Sequence, residues 1–172
     1  MSSPSPLFLL DKRHDFAVAR IPRCGSQTIG NWLGQDAIPV QLNDPRLFDV
    51  SRRVAFIRNP LERLKSAYSL FYWLNDYEVK PKNRGIPIGS WDEFVDHILV
   101  NEEIHWTQQT TLVEDVPNVY HRFENIIDHF EKYRPGIFPH NNWTSRRPTV
   151  DYRMDEINEK YSQDLKLWEH IE

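Results

Sequence analysis

Apolar positions along this chain fall into short unbroken runs separated by stripes of helical period. Phe16 to Ile21 (FAVARI) has the length and branching of a short buried strand, which Pro22 ends. A turn of small residues, Cys24-Gly25-Ser26, leads into a helical stretch from about Gln27 to Leu33. Residues 34–50 fit no single pattern, apart from a short strand near Val40. Val54 to Ile57 is a second buried strand, and Asn59-Pro60 opens a long helix with Leu61, Leu64, Tyr68 and Phe71 on one face. Asn75 to Gly89 carries charges, glycines and prolines and is expected to be an exposed loop. Ser90-Trp91-Asp92-Glu93 is a capping box opening a helix that carries Phe94, Ile98 and Leu99. Asn118 to Phe123 predicts a third strand, followed by a helix through Phe130 and a polar connection from Tyr133 to Val150. A last helix runs from about Met154 to Trp168 with Ile157, Tyr161, Leu165 and Trp168 on one face. Strands alternating with helices predict an α/β fold: a parallel sheet flanked by helices.

Composition narrows this only a little. A chain of 172 residues that is 40% hydrophobic supports one core, so residues 1–172 are expected to form a single domain, with 1–14 as a flexible N-terminus. A net charge of -4 gives no overall attraction to nucleic acid or to an anionic membrane, so any bound anion depends on local basic groups. The lone cysteine, Cys24, excludes an intrachain disulfide. The apolar run Leu7 to Leu10 is too short for a leader, and no stretch reaches the roughly 18 apolar residues of a membrane span, so a cytoplasmic protein is expected. The sequon Asn142-Trp143-Thr144 carries little weight in such a protein.

Two segments carry candidate chemistry. The first is the joint Pro22-Arg23-Cys24-Gly25-Ser26-Gln27-Thr28. A glycine turn feeding a helix leaves backbone N–H groups converging on one spot that favours an anion. Arg23 adds a full positive charge there, and Ser26 and Thr28 add hydroxyls; an ordinary capped turn is the plainer alternative. Three commoner motifs fail at this joint. Gly25 and Gly30 have Walker spacing, but Asn31-Trp32 stands where Lys-Ser/Thr is needed. A phosphatase loop headed by Cys24 would need arginine where Gly30 stands, and Gly25 lacks the partners of a dinucleotide fingerprint.

The second segment is Arg58-Asn59-Pro60-Leu61-Glu62-Arg63-Leu64-Lys65-Ser66-Ala67-Tyr68. Arg58 ends a buried strand, at the edge where open α/β sheets bind ligands, and Ser66 lies eight residues on, two turns into the next helix. An arginine fork and a hydroxyl can converge on one phosphate. Capping of the sheet edge by Arg58 and close packing by Ser66 explain the same residues without a ligand.

Taken together, the two segments resemble the nucleotide-binding segments of sulfotransferases that use PAPS (3′-phosphoadenosine 5′-phosphosulfate). Pro22-Arg23-Cys24-Gly25-Ser26 matches that family's P-[KR]-x-G-[ST] loop, and Arg58, Asn59, Pro60, Arg63, Ser66 and Tyr68 match its R-[DN]-P-x-x-R-x-x-S-x-Y segment. The closest flavour is the carbohydrate branch. His105-Trp106-Thr107-Gln108-Gln109 is similar to that branch's H-W-x-x-Q, and Tyr120 to Ile126 to its Y/F-E-N/D-L turn. Asn142 to Arg147 and Tyr161 to Leu167 are similar to its basic loop and terminal Y-x-x-D helix. Two positions depart from the family: Arg23 replaces the usual lysine, and Gln27 the usual second hydroxyl.

The resemblance implies a P-loop-like sheet and transfer of a sulfuryl group from PAPS to a hydroxyl, most naturally of a saccharide, without a metal. It places Arg23, Cys24, Gly25, Ser26, Gln27 and Thr28 around the 5′-phosphosulfate and Arg58 and Ser66 at the 3′-phosphate; Arg146 and Arg147 are candidates to clamp the nucleotide, with a solvated basic loop as the alternative. His105 is the first candidate for the base, with packing beside Trp106 or capping of a turn as the plainer reading, and Asp36 is a weaker one. Glu124 reads as structural, and Trp32, Phe71, Tyr72 and Trp73 as core and groove lining, with a sugar-stacking platform as the second reading of Trp73. Two alternatives stay open: a PAPS-binding module without turnover, and a P-loop kinase, which the missing Walker lysine disfavours.

Overall fold

The structure, a computed structural model, describes residues 7–76, 89–134 and 152–171. Five strands form one sheet: β1 (Phe8–Asp11), β2 (Phe16–Ala19), β3 (Ile38–Val40), β4 (Arg52–Ile57) and β5 (Val119–Arg122), in the order β3-β1-β2-β4-β5. The helices are α1 (Ser26–Leu33), α2 (Pro60–Asp76), α3 (Trp91–Val100), α4 (Gln109–Val113), α5 (Ile126–Tyr133), α6 (Met154–Lys160) and α7 (Ser162–His170). Strands β2, β4 and β5 are parallel, as expected of strands joined by helical crossovers. The three therefore end at one edge of the sheet. Ser90 and Glu93 form the reciprocal capping box that opens α3.

Alternation along the strands divides the core between the two faces of the sheet. Ala17, Ala19, Ala55 and Ile57 face Val113, Leu167 and Trp168, whereas Phe16, Val18, Val54 and Phe56 face Ile29, Leu33 and Phe130. A third cluster lies beside the sheet, where Leu64 and Tyr68 of α2 meet Trp91, Phe94, Trp106, Ile157 and Tyr161. Among the described residues, no helix is long and apolar enough to cross a membrane.

Three expectations need correction. The sheet is mixed rather than parallel, because β1 pairs antiparallel with both β2 and β3. Phe8 to Asp11, expected within a flexible N-terminus, is a fully buried interior strand. A four-residue turn returns it onto β2, with Asp15 at φ 58, so the run Leu7 to Leu10 is the first arm of a hairpin. The third correction concerns the last helix, which breaks at Tyr161. Beyond it Asp164 is fully buried and Leu165 only partly so, whereas the expected stripe assigned the buried position to Leu165.

Because β1 fills the sheet between β2 and β3, Phe8→Ala should cost about 3–5 kcal/mol of stability, as buried Phe truncations do. Urea unfolding measures this; an unchanged midpoint would restore a dispensable N-terminus.

Candidate functional site

The chain leaves β2 through Ile21 and Pro22 into a tight loop. Arg23 (φ 68) and Gly25 (φ 72) are both left-handed, and the Cys24 N–H closes the turn by donating to Ile21 O (3.1 Å). Glycine is required at position 25, since a Cβ there would lie 2.9 Å from Phe123 Cε2 as well as carrying the strained φ. Arg23 adopts the same region without that freedom, at a cost of about 1–3 kcal/mol, so its surroundings must hold it there.

They do so through the arginines of the second segment. Arg58 Nη1 donates to Arg23 O (2.8 Å), and Arg63 Nε donates to Pro22 O (3.0 Å). Two consecutive loop carbonyls are thus held by two guanidiniums. Arg63 is 1% exposed and also donates to Thr107 O (2.7 Å) and Ile104 O (3.0 Å). Arg58, 4% exposed, lies with its guanidinium carbon 5.1 Å from the centre of the Phe123 ring, the ring that also presses on Gly25.

The side chain of Arg23 reaches the other segment as well. Its Nε and Nη2 both donate to Ser66 Oγ, at 3.0 and 2.7 Å. Helix α1 starts immediately after the loop with no side-chain cap, and its first backbone bond runs from Ile29 N–H to Gly25 O (2.8 Å). The N–H groups of its first turn have no acceptor within the helix and sit at the positive end of its dipole. Ser26 and Thr28 are half-buried there and Gln27 is exposed. Left-handed residues alternating along the loop, an open helix start and adjoining guanidiniums together make a surface suited to an anion.

Beneath the loop lies a buried polar network. Cys24 donates its thiol to Gln109 Oε1 (3.0 Å), and the same oxygen accepts from Arg58 N–H (2.9 Å). Gln109 Nε2 donates back to Arg58 O (2.9 Å), and Asp164 Oδ2 accepts from Gln109 N–H (2.7 Å). Burial pushes the Cys24 thiol up to about 11, although the charges of Arg63 and Arg58 pull the other way. At neutral pH it is a protonated, inert thiol, in keeping with the exclusion of a cysteine phosphatase.

The remaining expected residues are distributed as follows. His105 lies in the segment whose carbonyls Arg63 holds, with Nδ1 2.8 Å from Glu103 Oε2. Asp36 follows the C-terminal end of α1, where it pairs with Arg134 (2.9 Å). Glu124 accepts from the Trp168 indole (3.2 Å), which fits a structural role. Arg146, Arg147 and the sequon at Asn142 lie outside the described residues, as do the side chains of Phe71, Tyr72 and Trp73. An open depression lined by Gln41, Leu42, Asn43, Glu114 and Val116 contains none of the motif residues.

Comparison with family models, with curated proteins and with solved structures found no match. The site therefore stands on its own geometry. Sequence reasoning assigned no role to Arg63, Gln109, Phe123 or Asp164. Each lies inside a segment singled out for resemblance, which was the available signal, but nothing local marks such residues as holders of a loop.

The raised thiol gives a pH prediction. A group bound to its proton more tightly when folded stabilises the fold fully below its unfolded value, near 9.0, and that contribution fades as pH rises towards about 11. Native Cys24 should resist thiol reagents at pH 8 and react at the unfolded rate in denaturant. Rapid labelling of the native protein at pH 8 would contradict the buried assignment.

Proposed function

We propose that the protein is a sulfotransferase with a P-loop-like donor site, moving a sulfuryl group from PAPS to a hydroxyl acceptor, of which a saccharide is the favoured class. The observation that carries this reading is the meeting of the two motif segments. Arg23 and Ser66, 43 residues apart, touch side chain to side chain, while Arg58 and Arg63 grip the carbonyls of the loop that contains Arg23. The two segments that resemble a nucleotide-binding pair are neighbours in space, at the sheet edge where α/β folds bind ligands.

In this reading the loop N–H groups, Arg23, Ser26 and Thr28 receive the 5′-phosphosulfate, and Ser66 and Arg58 are assigned to the 3′-phosphate. The acceptor oxygen attacks sulfur in line, the sulfur–bridging oxygen bond breaks, and PAP (3′,5′-adenosine bisphosphate) leaves with the bonding pair. Charge grows on that bridging oxygen, so preorganised donors aimed at it supply most of the catalysis. Arg23 is the residue assigned to it.

The acceptor proton goes to His105. The Glu103 carboxylate beside Nδ1 favours the tautomer with its proton there, which places the basic lone pair on Nε2. This mirrors the orienting carboxylate of a hydrolase triad.

Titration calorimetry with PAP, against ATP and AMP, tests the donor site. PAP should bind far more tightly than either control, and equal affinity would remove the transferase reading. Arg58→Ala or Ser66→Ala should weaken PAP binding about 10- to 100-fold, the scale of a lost charge-assisted hydrogen bond. Normal affinity in both would sink the site assignment.

His105→Ala should leave PAP affinity intact and lower turnover about 10²- to 10⁴-fold, the usual contribution of a general base. PAP release from PAPS in the presence of a saccharide acceptor mixture reads it. Undiminished turnover would remove His105 as the base.

A further inference from the structure

We infer that Gln109, held by Asp164, is the positioning residue that fixes Arg58 and the loop in their anion-receiving geometry. The inference rests on the donor-site reading above and adds to it a buried element remote from the anion itself.

Gln109 has no exposed surface and one amide orientation. Its Oε1 accepts from Arg58 N–H (2.9 Å) and from the Cys24 thiol (3.0 Å), and its Nε2 donates to Arg58 O (2.9 Å) and Asp164 Oδ2 (3.3 Å). A flipped amide would set NH₂ against a backbone N–H and oxygen against a carbonyl and a carboxylate, so only this orientation serves all four neighbours. Its paired bonds to Arg58 N–H and C=O act like one further rung of sheet just beyond the last residue of β4. Through Oε1 the same side chain holds Cys24, between the two left-handed residues of the loop.

Asp164 sets the amide in turn. Its Oδ2 accepts from Gln109 N–H (2.7 Å) and its Oδ1 from Thr110 N–H and Thr110 Oγ1 (both 2.9 Å). A fully buried carboxylate with donors on both oxygens is fixed in place. It ties α7 and the start of α4 to the loop after β2. None of these atoms needs to touch a nucleotide for the network to control where Arg58 and the loop N–H groups point.

The experiment uses Gln109→Glu, which keeps the shape and makes one donor depend on pH. Ionised, the introduced carboxyl cannot donate to Arg58 O and repels Asp164; protonated, it can donate again. Burial and the neighbouring carboxylate raise its pKa, so function is present at low pH and lost as pH rises through that value. PAP affinity in Gln109→Glu should be at least about tenfold weaker than wild type at pH 8 and approach it at pH 5.5. Gln109→Met, of similar volume with no hydrogen-bonding amide, should be weak at both. Wild-type affinity in either variant at pH 8, or a Gln109→Glu deficit that does not lessen at pH 5.5, would overturn the inference, because a packing role alone does not create a pH-dependent deficit.

Cys24 labelling supplies a readout that needs no nucleotide. Gln109→Met should label about tenfold faster than Phe130→Leu, a core variant on the other face of the sheet, compared in urea at matched stability. Equal rates would overturn the inference by themselves. A wild-type protein without preference for PAP would remove the donor-site reading, and the labelling comparison would still decide whether Gln109 holds the loop.

Discussion

Two buried guanidiniums bind two consecutive carbonyls, and the geometry of the sheet edge follows from that arrangement. Removing an arginine from water costs several kcal/mol even after relaxation. Arg63 offsets this with three carbonyl acceptors, Pro22, Ile104 and Thr107. At about 1.5–3 kcal/mol for each hydrogen bond to a charged group, three such bonds are of the order needed to balance the desolvation. The arrangement therefore adds little net stability, but it allows few alternatives. Once those carbonyls are drawn towards the arginines, the loop backbone is committed, including the left-handed turn at Arg23 that an unsupported chain would avoid.

The same constraint explains why elements distant in sequence converge here. Arg63 joins the loop after β2 to the segment containing His105, and Asp164 joins the start of α4 to α7 near the C-terminal end of the described chain. Phe123, just past β5, fills the space that Gly25 leaves and lies against Arg58. Three parallel strands end side by side, and each sends its next residues into this one contact. The face that results is rigid where polar groups are buried and open at the first turn of α1, the division of labour expected of a preorganised anion site.

Much of the fold was legible in the residues. The runs around Val18 and Phe56 have the length and composition of strands buried on both faces, and Ser90 to Glu93 specifies its helix start by local hydrogen-bond chemistry. The strand-turn-helix joint was legible as well, since Pro22 ends the strand and Gly25 supplies a left-handed residue for the turn. Less could be read where pairing rather than pattern decides. Phe8 to Asp11 is four residues long, too few to separate a strand from a stray apolar run until β2 is there to accept it. Asp164 falls at helical spacing from Ile157, Tyr161 and Trp168, on the apolar face, but nothing local says which donors a carboxylate buried there would meet; the N–H groups of Gln109 and Thr110 supply them.

The sequence by itself determined the α/β class, the strand-turn-helix joint after β2, and the two segments whose residue types suit an anion. Those features depend on the period of apolar residues, on backbone freedom at glycine and on hydroxyl and guanidinium chemistry, all of which are local. Only the tertiary structure decided that β1 enters the sheet antiparallel, that Arg58 turns its guanidinium to the carbonyl of Arg23, and that Gln109 connects Cys24 to Asp164. Those contacts span 35, 85 and 55 residues of chain. Each side chain has several chemically acceptable partners, and the packing of the sheet edge selects among them.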